Sequence, residues 1–352
     1  MSSLKTRPVL PTVNRQWRLT SYPEGMPSDS NWALSEGAMP EPGANQLLAR
    51  AIYLDVAPYM RGRISPQKNY AAGVALGDVM MGGAIAEVVT SNAKPYKPGD
   101  LVVTDHNFGW QEYSVLRPNV VRRVDDKLAP LPYWLDALGM NGQTAYFALF
   151  EAGHMKAGDT VVISAAAGSV GQVAGQIAKL SGCRAVGITS SAKKAQGCRD
   201  AGYAEAIDYR AESDLSAAIR KACPNGVDVF IDNTGGPIHD AVMQNLATYA
   251  RVVIVGSISL AGSFGQPDMG LRFQRQILIA RATIRGFLVS DYQQSQAEAR
   301  RRIGAWHQAG LIKSNFDIAQ GLEATPGAFL RLLTSRNVGK QLVQVGPEPA
   351  AA

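Results

Sequence analysis

Short apolar runs that alternate with helical stretches dominate the middle of the chain. Runs rich in β-branched residues occur at 160–164, 184–189, 206–208, 227–232, 251–257 and 283–288. Apolar runs of this length are typical of strands that are buried on both faces of a sheet. Their alternation with helices from about residue 129 predicts an α/β fold, a doubly wound parallel sheet with right-handed crossovers.

The first third of the chain has a different pattern, in which shorter apolar runs lie between proline and glycine breaks. Strands are predicted at 47–54, 82–89 and 101–103, with a loop or helix entry at 55–61. Strands at this spacing predict a mostly β first domain. A last apolar run at 341–345 is predicted to return to that domain as a closing strand.

One turn between a predicted strand and a predicted helix carries the clearest chemical signal. Ala166, Gly168 and Gly171 occupy the three glycine positions of the dinucleotide-binding fingerprint. Gly168 would let the backbone approach a pyrophosphate, Gly171 would let the helix pack closely on the strand, and the helix start would offer N–H groups to phosphates. Tight strand–helix turns occur in other α/β proteins too, but the flanking strand and helix favour dinucleotide binding.

The residues that follow the next predicted strand favour NADPH over NADH. A site for NAD has an acidic residue about 20 positions beyond the glycine turn. Here Thr189, Ser190 and Ser191 stand there, followed by Lys193 and Lys194. Hydroxyl groups and an ammonium suit a 2′-phosphate, which a carboxylate would repel. The alternative is that the two lysines only begin a solvated helix.

Composition narrows the possible partners and the compartment. The 352 residues carry a net charge of +6, but lysines and arginines are scattered, so we expect no nucleic-acid partner. The uncharged segment 161–178 contains a glycine turn, so we expect no membrane partner either. Three widely spaced cysteines and the lack of a signal segment predict reduced thiols and a cytoplasmic protein.

The chain lacks the residue pattern of a zinc alcohol dehydrogenase, and we expect no metal. Its cysteines all fall in the predicted nucleotide-binding region, and no Gly-His-Glu motif surrounds any of the histidines, which are His106, His154, His239 and His307. Alcohol oxidation without a metal loses its usual Lewis acid. Hydride delivery to a carbon–carbon double bond that is conjugated with a carbonyl group needs less help, because the carbonyl accepts the charge.

Seven short segments in a fixed order carry a resemblance to a known family. They are 55–61 (Asp-Val-Ala-Pro-Tyr-Met-Arg), 81–83 (Met-Gly-Gly), 109–113 (Gly-Trp-Gln-Glu-Tyr), 139–146 (Gly-Met-Asn-Gly-Gln-Thr-Ala-Tyr), the glycine turn, 232–236 (Asp-Asn-Thr-Gly-Gly) and 286–289 (Gly-Phe-Leu-Val). In order and spacing they resemble the zinc-independent medium-chain dehydrogenase/reductase superfamily. Within this superfamily the segments resemble those of one branch, which contains prostaglandin reductases, leukotriene B4 12-hydroxydehydrogenases, plant 2-alkenal double-bond reductases and bacterial curcumin reductases.

This resemblance implies the domain organisation and the activity. We expect a GroES-like, mostly β substrate domain at 1–128, an NADP-binding Rossmann domain at 129–307, and a return to the first domain at 308–352. The implied enzyme is an NADPH-dependent oxidoreductase that reduces the carbon–carbon double bond of α,β-unsaturated aldehydes and ketones, with hydride delivered to the β-carbon. Family members are commonly homodimers whose sheets join edge to edge.

The resemblance also implies which residues bind NADPH. By motif position these are Gly168, Ser169, Val170 and Gly171 for the pyrophosphate, Ser190, Lys194 and Tyr209 for the adenosine phosphate, Asn233 for a ribose or phosphate oxygen, Val255, Gly256, Phe287 and Leu288 beside the nicotinamide, and Asn337 from the returning segment. Three of these residues have an alternative, purely structural role. In that case Tyr209 caps the sheet, Phe287 belongs to the core, and Asn233 shapes a turn.

Two residues depart from the family pattern. Ala261 stands where the family usually has a tyrosine that is assigned to proton donation or enolate stabilisation, and Asn141 replaces a proline. The proton would then come from water, a ribose hydroxyl or another residue, for which Tyr59 is our candidate, with a packing tyrosine as the alternative. An NADPH quinone oxidoreductase and a non-catalytic NADPH-binding protein remain alternative functions.

Overall fold

The structure, a computed structural model, describes residues 10–349. The elements of its first part are β1 (Val13–Leu19), β2 (Trp32–Ala38), β3 (Leu47–Asp55), α1 (Met60–Arg63), β4 (Ala84–Ser91), β5 (Leu101–Thr104), β6 (Tyr113–Leu116) and β7 (Arg122–Arg123). The helices that follow are α2 (Met140–Phe147), α3 (Ser169–Leu180), α4 (Ala192–Asp200), α5 (Leu215–Ala222), α6 (Gly236–Met243), α7 (Gln274–Ala280), α8 (Gln296–Gln308) and α9 (Thr325–Leu333). The strands between and after them are β8 (Thr160–Ser164), β9 (Arg184–Thr189), β10 (Glu205–Asp208), β11 (Val227–Asp232), β12 (Leu246–Ile254), β13 (Thr283–Gly286), β14 (Phe316–Gln320) and β15 (Lys340–Gln344).

The predicted doubly wound sheet is present. Within the described residues it has six parallel strands in the order β10-β9-β8-β11-β12-β13. The central strand β8 is fully buried along its length, which explains why its sequence is apolar at consecutive positions. Both faces of the sheet therefore carry packed side chains, and ligands of such sheets bind beyond the carboxyl ends of the strands.

Three predicted strands of this sheet match the structure, and three have different bounds. The predictions at 160–164, 184–189 and 227–232 are confirmed by β8, β9 and β11, while β10 begins one residue earlier than predicted and β13 ends at Gly286. The largest error is in β12, which begins at Leu246 rather than Arg251 and ends at Ile254. Its register against β11 jumps between Leu246 and Arg251, with Tyr249 at a φ of 64°, and such a bulge interrupts the apolar pattern.

The first part of the chain and its last two strands share another sheet, which we call the first sheet, with the strand order β14-β15-β3-β4-β5-β7 and with β6 also paired to β3. β4 begins at Ala84 rather than Gly82, and the preceding Gly83 lies so close to β5 that a Cβ there would be 2.6 Å from the Thr104 carbonyl oxygen. β15 pairs with β3, with Leu342 opposite Asp55. The domain boundaries at 128 and 307 stay predictions.

The two sheets are not packed separately. One cluster of buried side chains contains Ile52 and Ile85 from the first sheet together with Val161 and Ile163 from the parallel sheet. The fold is thus α/β, with a Rossmann-like parallel sheet and a mostly β unit that share a core. No helix among residues 10–349 is both long and apolar enough to cross a membrane.

Candidate active site

The sequence-predicted cofactor residues meet at the carboxyl ends of the parallel strands. Ser190 follows β9, Asn233 follows β11, and Val255 and Gly256 follow β12. Parallel strands end at the same edge of a sheet, so these residues lie along one edge together with the glycine turn after β8, at the crevice where sheets of this kind bind ligands. The glycine turn and this edge of the sheet position the other residues of the candidate site.

The glycine turn leads directly into α3, and its last glycine, Gly171, leaves no room for a side chain. Gly168 is the N-cap of α3, and its N–H group donates to the Ala165 carbonyl oxygen at 2.8 Å. A Cβ on Gly171 would lie 2.5 Å from the Ala165 oxygen and 2.6 Å from the Ala166 Cα. The close approach therefore requires glycine, and the N–H groups of Ser169, Val170 and Gly171 form the open end of a twelve-residue helix.

A buried carboxylate that sequence reasoning missed lies under this helix start. The Ser169 hydroxyl and the Gln172 amide, the latter at 3.0 Å, both donate to the fully buried Asp136. Burial raises the pKa of Asp136 to about 6, although the hydrogen bond from Ser169 opposes the rise. The Ser169 side chain is thus committed to Asp136, which leaves its backbone N–H for a phosphate.

The segment that returns to the first sheet passes directly over the glycine turn. The Gly339 N–H group donates to the Ala167 carbonyl oxygen at 3.0 Å. Asn337 is only 6 % exposed, and its amide nitrogen donates to the Gly339 carbonyl oxygen at 2.9 Å. The structure therefore places Asn337 next to the turn, with its amide nitrogen engaged within its own segment.

Lys194 lies in a half-buried basic pocket. Its ammonium donates to the Ser190 hydroxyl at 3.2 Å and to the Ser335 carbonyl oxygen at 2.7 Å. Burial lowers the pKa of Lys194, and the nearby Arg210 lowers it further. Arg210 was missed from the sequence, although it directly follows the predicted Tyr209, whose ring is 5.7 Å from the guanidinium carbon.

Asn233 is held by the neighbouring strand. Its N–H donates to the Ser164 hydroxyl, and its side-chain amide donates to the Ser164 carbonyl oxygen, both at 2.8 Å. The preceding Asp232 is fully buried and lies 2.8 Å from His239 Nδ1. Burial by itself would raise the pKa of Asp232, but hydrogen bonds from His239 and from the backbone of Gly235 and Thr234 lower it. The cluster fixes the loop after β11.

The residues predicted beside the nicotinamide divide into two groups. The N–H groups of Val255 and Gly256 donate to the Asp232 carbonyl oxygen at 2.8 and 3.1 Å, which holds the backbone after β12 against β11. Phe287 is 7 % exposed and stacks on Tyr292, so its side chain belongs to the core, whereas the Leu288 side chain is 36 % exposed.

Tyr59 has a partner that the sequence did not reveal. The Tyr59 hydroxyl lies 3.0 Å from His106 Nδ1, and the two rings meet edge to face. Burial raises the pKa of Tyr59 well above its usual value and lowers the pKa of His106. At neutral pH the tyrosine therefore keeps its proton. Tyr59 packs against a buried cluster that includes Ala261, and Ile258 from the same loop after β12 packs against that cluster as well.

Both departures from the family pattern have a structural partner. Arg61 Nε donates to the Ala261 carbonyl oxygen at 2.8 Å, and Arg61 Nη2 donates to the Gly25 carbonyl oxygen at 2.9 Å. The Asn141 amide donates to the Leu135 carbonyl oxygen at 3.0 Å, which a proline could not do. Across residues 10–349, His, Cys, Asp and Glu side chains form no group of three or more that could hold a metal ion.

Two family models match the chain. One is described as the N-terminal domain of oxidoreductase and matches residues 15–124, and the other is described as zinc-binding dehydrogenase and matches residues 169–303. Together they cover β1 to β7, the glycine-turn helix α3 and five strands of the parallel sheet, from β9 to β13.

Similar proteins of known activity match almost the whole chain. The NADPH-dependent curcumin reductase of Escherichia coli is 37% identical over 340 residues, which cover 94% of this chain and 97% of that protein. The NADP⁺-dependent 2-alkenal reductase of Nicotiana tabacum is 35% identical over 344 residues, with coverage of 95% and 98%. The crystal structure of CurA from Vibrio vulnificus in complex with NADPH has a TM-score of 0.89 at 37% identity and covers 95% of this chain and all of that one.

We predict that Asp136→Asn changes the pH dependence of stability. Because the pKa of Asp136 is raised in the folded state, folding favours its protonated form, and this contribution is lost as pH rises from about 4 to about 6. The free energy of unfolding of the variant relative to wild type should therefore rise by up to about 3 kcal/mol between about pH 4 and pH 7. Denaturant unfolding at both pH values measures it.

Asp126→Asn, which removes the same charge from an exposed position, is the control for the Asp136 measurement. An unfolding free-energy difference between Asp136→Asn and wild type that is the same at both pH values would contradict the prediction.

Proposed function

This chain belongs to the zinc-independent branch of the medium-chain dehydrogenase/reductase family, and on that premise we propose that it uses NADPH to reduce the carbon–carbon double bond of α,β-unsaturated aldehydes and ketones. The observation that carries the proposal is the match, at 35–40% identity and over at least 94% of the chain, to NADP-dependent oxidoreductases, including curcumin and 2-alkenal reductases. The (+)-pulegone reductase of Mentha piperita, 32% identical over 96% of the chain, extends the same pattern.

The residues at the crevice fit NADPH. The close approach at Gly171 and the open end of α3 suit a pyrophosphate, and the basic pocket of Lys194, Ser190 and Arg210 suits a 2′-phosphate. NADPH, when bound, supplies the hydride. The chain would hold it by the backbone after β8, β11 and β12, with Asn233 and Leu288 along the path, while Phe287 would support the nicotinamide side from the core.

Tyr59 is our proposed proton donor to the α-carbon of the substrate. It keeps its proton at neutral pH, and it packs against the buried cluster that includes Ala261, the residue that stands where the family has a tyrosine. With its proton on Nδ1, His106 would donate a hydrogen bond to the Tyr59 oxygen, which leaves the tyrosine proton free for the substrate and stabilises the oxygen after transfer. His106 is then a positioning residue, since it acts through Tyr59.

The proposed activity is tested with NADPH and a panel of 2-alkenals, enones and quinones, followed by nicotinamide absorbance and product analysis. We expect saturated aldehydes and ketones as products. Oxidation of NADPH by quinones alone would identify a quinone reductase instead. NADPH binding without turnover of any substrate in the panel would favour a non-catalytic protein.

We predict that Lys194→Ala impairs the use of NADPH much more than the use of NADH. Loss of the ammonium removes a charge-assisted contact to the 2′-phosphate, so KM for NADPH should rise about 10- to 100-fold, while KM for NADH changes little. Steady-state kinetics with both cofactors measure the difference. Lys193→Ala, at an exposed neighbouring position, is the control and should leave both values near wild type. Equal effects of Lys194→Ala on the two cofactors would exclude a 2′-phosphate contact.

We predict that Tyr59→Phe lowers kcat with little change in KM for NADPH. Removal of a general acid typically costs about 10²- to 10⁴-fold in rate. Tyr22→Phe is the matched control, because the Tyr22 hydroxyl donates to the Val74 carbonyl oxygen at 3.1 Å beside the same hydrophobic cluster. If both variants keep wild-type kcat, Tyr59 is a packing residue and the proton comes from elsewhere.

We also propose a homodimer that joins two parallel sheets through β13. This strand is at the edge of its sheet and all four of its residues are exposed. On the adjacent helix α7, Leu278 and Ile279 are 74% and 62% exposed, which is unusual for large apolar side chains. A second copy would cover both the free strand edge and these side chains.

Substitution of α7 tests the dimer. We predict that Leu278→Asp with Ile279→Asp shifts the chain from dimer to monomer in sedimentation velocity, because charges would be buried without partners at the interface. Wild type that sediments as a monomer at all concentrations would exclude the dimer.

A cytoplasmic location is proposed as well. Cys183, Cys198 and Cys223 are all free thiols, a state that reducing compartments maintain. Fractionation of the cells that produce the protein tests it, and recovery outside the cytoplasm would overturn it.

A further inference from the structure

Arg63 is a buried cation whose charge is not matched by the protein around it. It ends α1 and is only 6 % exposed. Within residues 10–349, its Nε and Nη1 atoms are buried and have no hydrogen-bond partner. Its guanidinium carbon lies 4.4 Å from the centre of the Tyr70 ring. A buried charge without hydrogen bonds is destabilising, so an arrangement of this kind needs a compensating ligand.

The carboxylates near Arg63 are already paired with other cations. Asp55 forms a buried ion pair with Lys340 from the returning strand. Asp105 accepts two hydrogen bonds from Arg122, at 2.6 and 3.1 Å. Neither carboxylate contacts Arg63, so its positive charge remains available.

Arg63 lies beside the proposed proton donor. Burial raises the pKa of Tyr59, and the charge of Arg63 opposes that rise. For His106, burial lowers the pKa, and Arg63 is among the groups that lower it further. Tyr70, which stacks on Arg63, also acts electrostatically on Tyr59. Tyr59 is the N-cap of α1 and Arg63 is its last residue, so the two residues lie one helical turn apart.

The neighbouring Arg61 shows the contrast with an arginine that has a structural role. Two of its donors bind the Ala261 and Gly25 carbonyl oxygens, and its guanidinium carbon lies 4.9 Å from the centre of the Phe264 ring. Arg61 thus ties the loop after β12 to the first sheet. Arg61 Nη1 is also buried without a hydrogen-bond partner, but Arg63 differs in that neither its Nε nor its Nη1 atom makes a hydrogen bond.

We propose that Arg63 binds a carboxylate of the substrate, so that the preferred substrates are α,β-unsaturated ketones or aldehydes that carry an acid group a few carbons from the double bond. This inference rests on the proposed reductase function. A carboxylate is planar and offers two acceptors to the planar fork of a guanidinium. A neutral substrate leaves Arg63 unpartnered in the complex and forgoes that contact.

A matched pair of substrates tests the proposal. The acid is (E)-6-oxohept-4-enoate, and the neutral partner is its methyl ester, in which the two intervening methylene groups keep the reactivity of the enone unchanged. With NADPH present, wild type should reduce the acid with a kcat/KM about 10- to 100-fold above that of the ester. Arg63→Met should abolish this preference by lowering kcat/KM for the acid about 10- to 100-fold more than for the ester, and Arg63→Lys should keep part of it.

Thermal unfolding separates a binding role from a structural one. Because Nε and Nη1 of Arg63 have no partners to lose, Arg63→Met should keep or raise the midpoint temperature of unfolding. Arg61→Met is the matched control and should lower it, because it leaves two carbonyl oxygens without donors. A midpoint lowered by Arg63→Met as much as by Arg61→Met would assign Arg63 a structural role and overturn the proposal.

The kinetic outcomes distinguish a failure of this inference from a failure of the proposed function. If wild type reduces acid and ester equally well, or if Arg63→Met lowers both equally, Arg63 is not a carboxylate site, although the reductase function stands. If wild type reduces neither, the proposed function fails for these substrates, and calorimetric titration of the enzyme–NADP⁺ complex with 6-oxoheptanoate and its methyl ester decides the inference. Acid binding that Arg63→Met removes supports it, and absent or equal binding of the two overturns it.

Discussion

The site depends on one backbone crossing, at which the returning segment passes over the glycine turn. The Gly339 N–H group binds the Ala167 carbonyl oxygen, and two residues away Asn337 closes its own turn against Gly339. Gly339 has a φ of 72°, and a Cβ there would be 2.1 Å from the Asn315 carbonyl oxygen, so only glycine fits. From this crossing the chain runs on into β15 and the Asp55–Lys340 ion pair, and backwards to the Ser335 carbonyl that holds Lys194.

The same crossing explains how one crevice is assembled from distant parts of the chain. The Rossmann-like sheet supplies the strand ends, while the first sheet supplies Tyr59 and His106. The shared core and the returning strand hold the two sheets together. In addition, Arg61 in α1 donates a hydrogen bond to the Ala261 carbonyl oxygen in the loop after β12. A connection of this kind would hold NADPH, the substrate and the proposed proton donor in fixed positions relative to one another, and such positioning can supply much of the rate of a reaction.

Buried charges around the crevice fall into three states. Asp55 and Lys340 form a buried ion pair, while Asp136 is stabilised by hydrogen bonds from Ser169 and Gln172 although burial raises its pKa to about 6. Within the described residues, the Nε and Nη1 atoms of Arg63 are buried and have no hydrogen-bond partner. A buried charge without hydrogen bonds lowers the stability of the fold, and proteins retain such destabilising groups mainly at functional sites.

The sequence alone determined the features that are local along the chain. Apolar runs follow from burial on both faces of a strand, and the glycine spacing follows from backbone contacts within a few residues, so the parallel sheet, the turn and the position of Lys194 were predictable. The tertiary structure alone decided the pairing of side chains that are distant in sequence. Tyr59 and His106 are 47 residues apart, Ser169 and Asp136 are 33 apart, and Lys194 and Ser335 are 141 apart. No periodicity carries such information, because these contacts form only when the two sheets pack and the last strand returns.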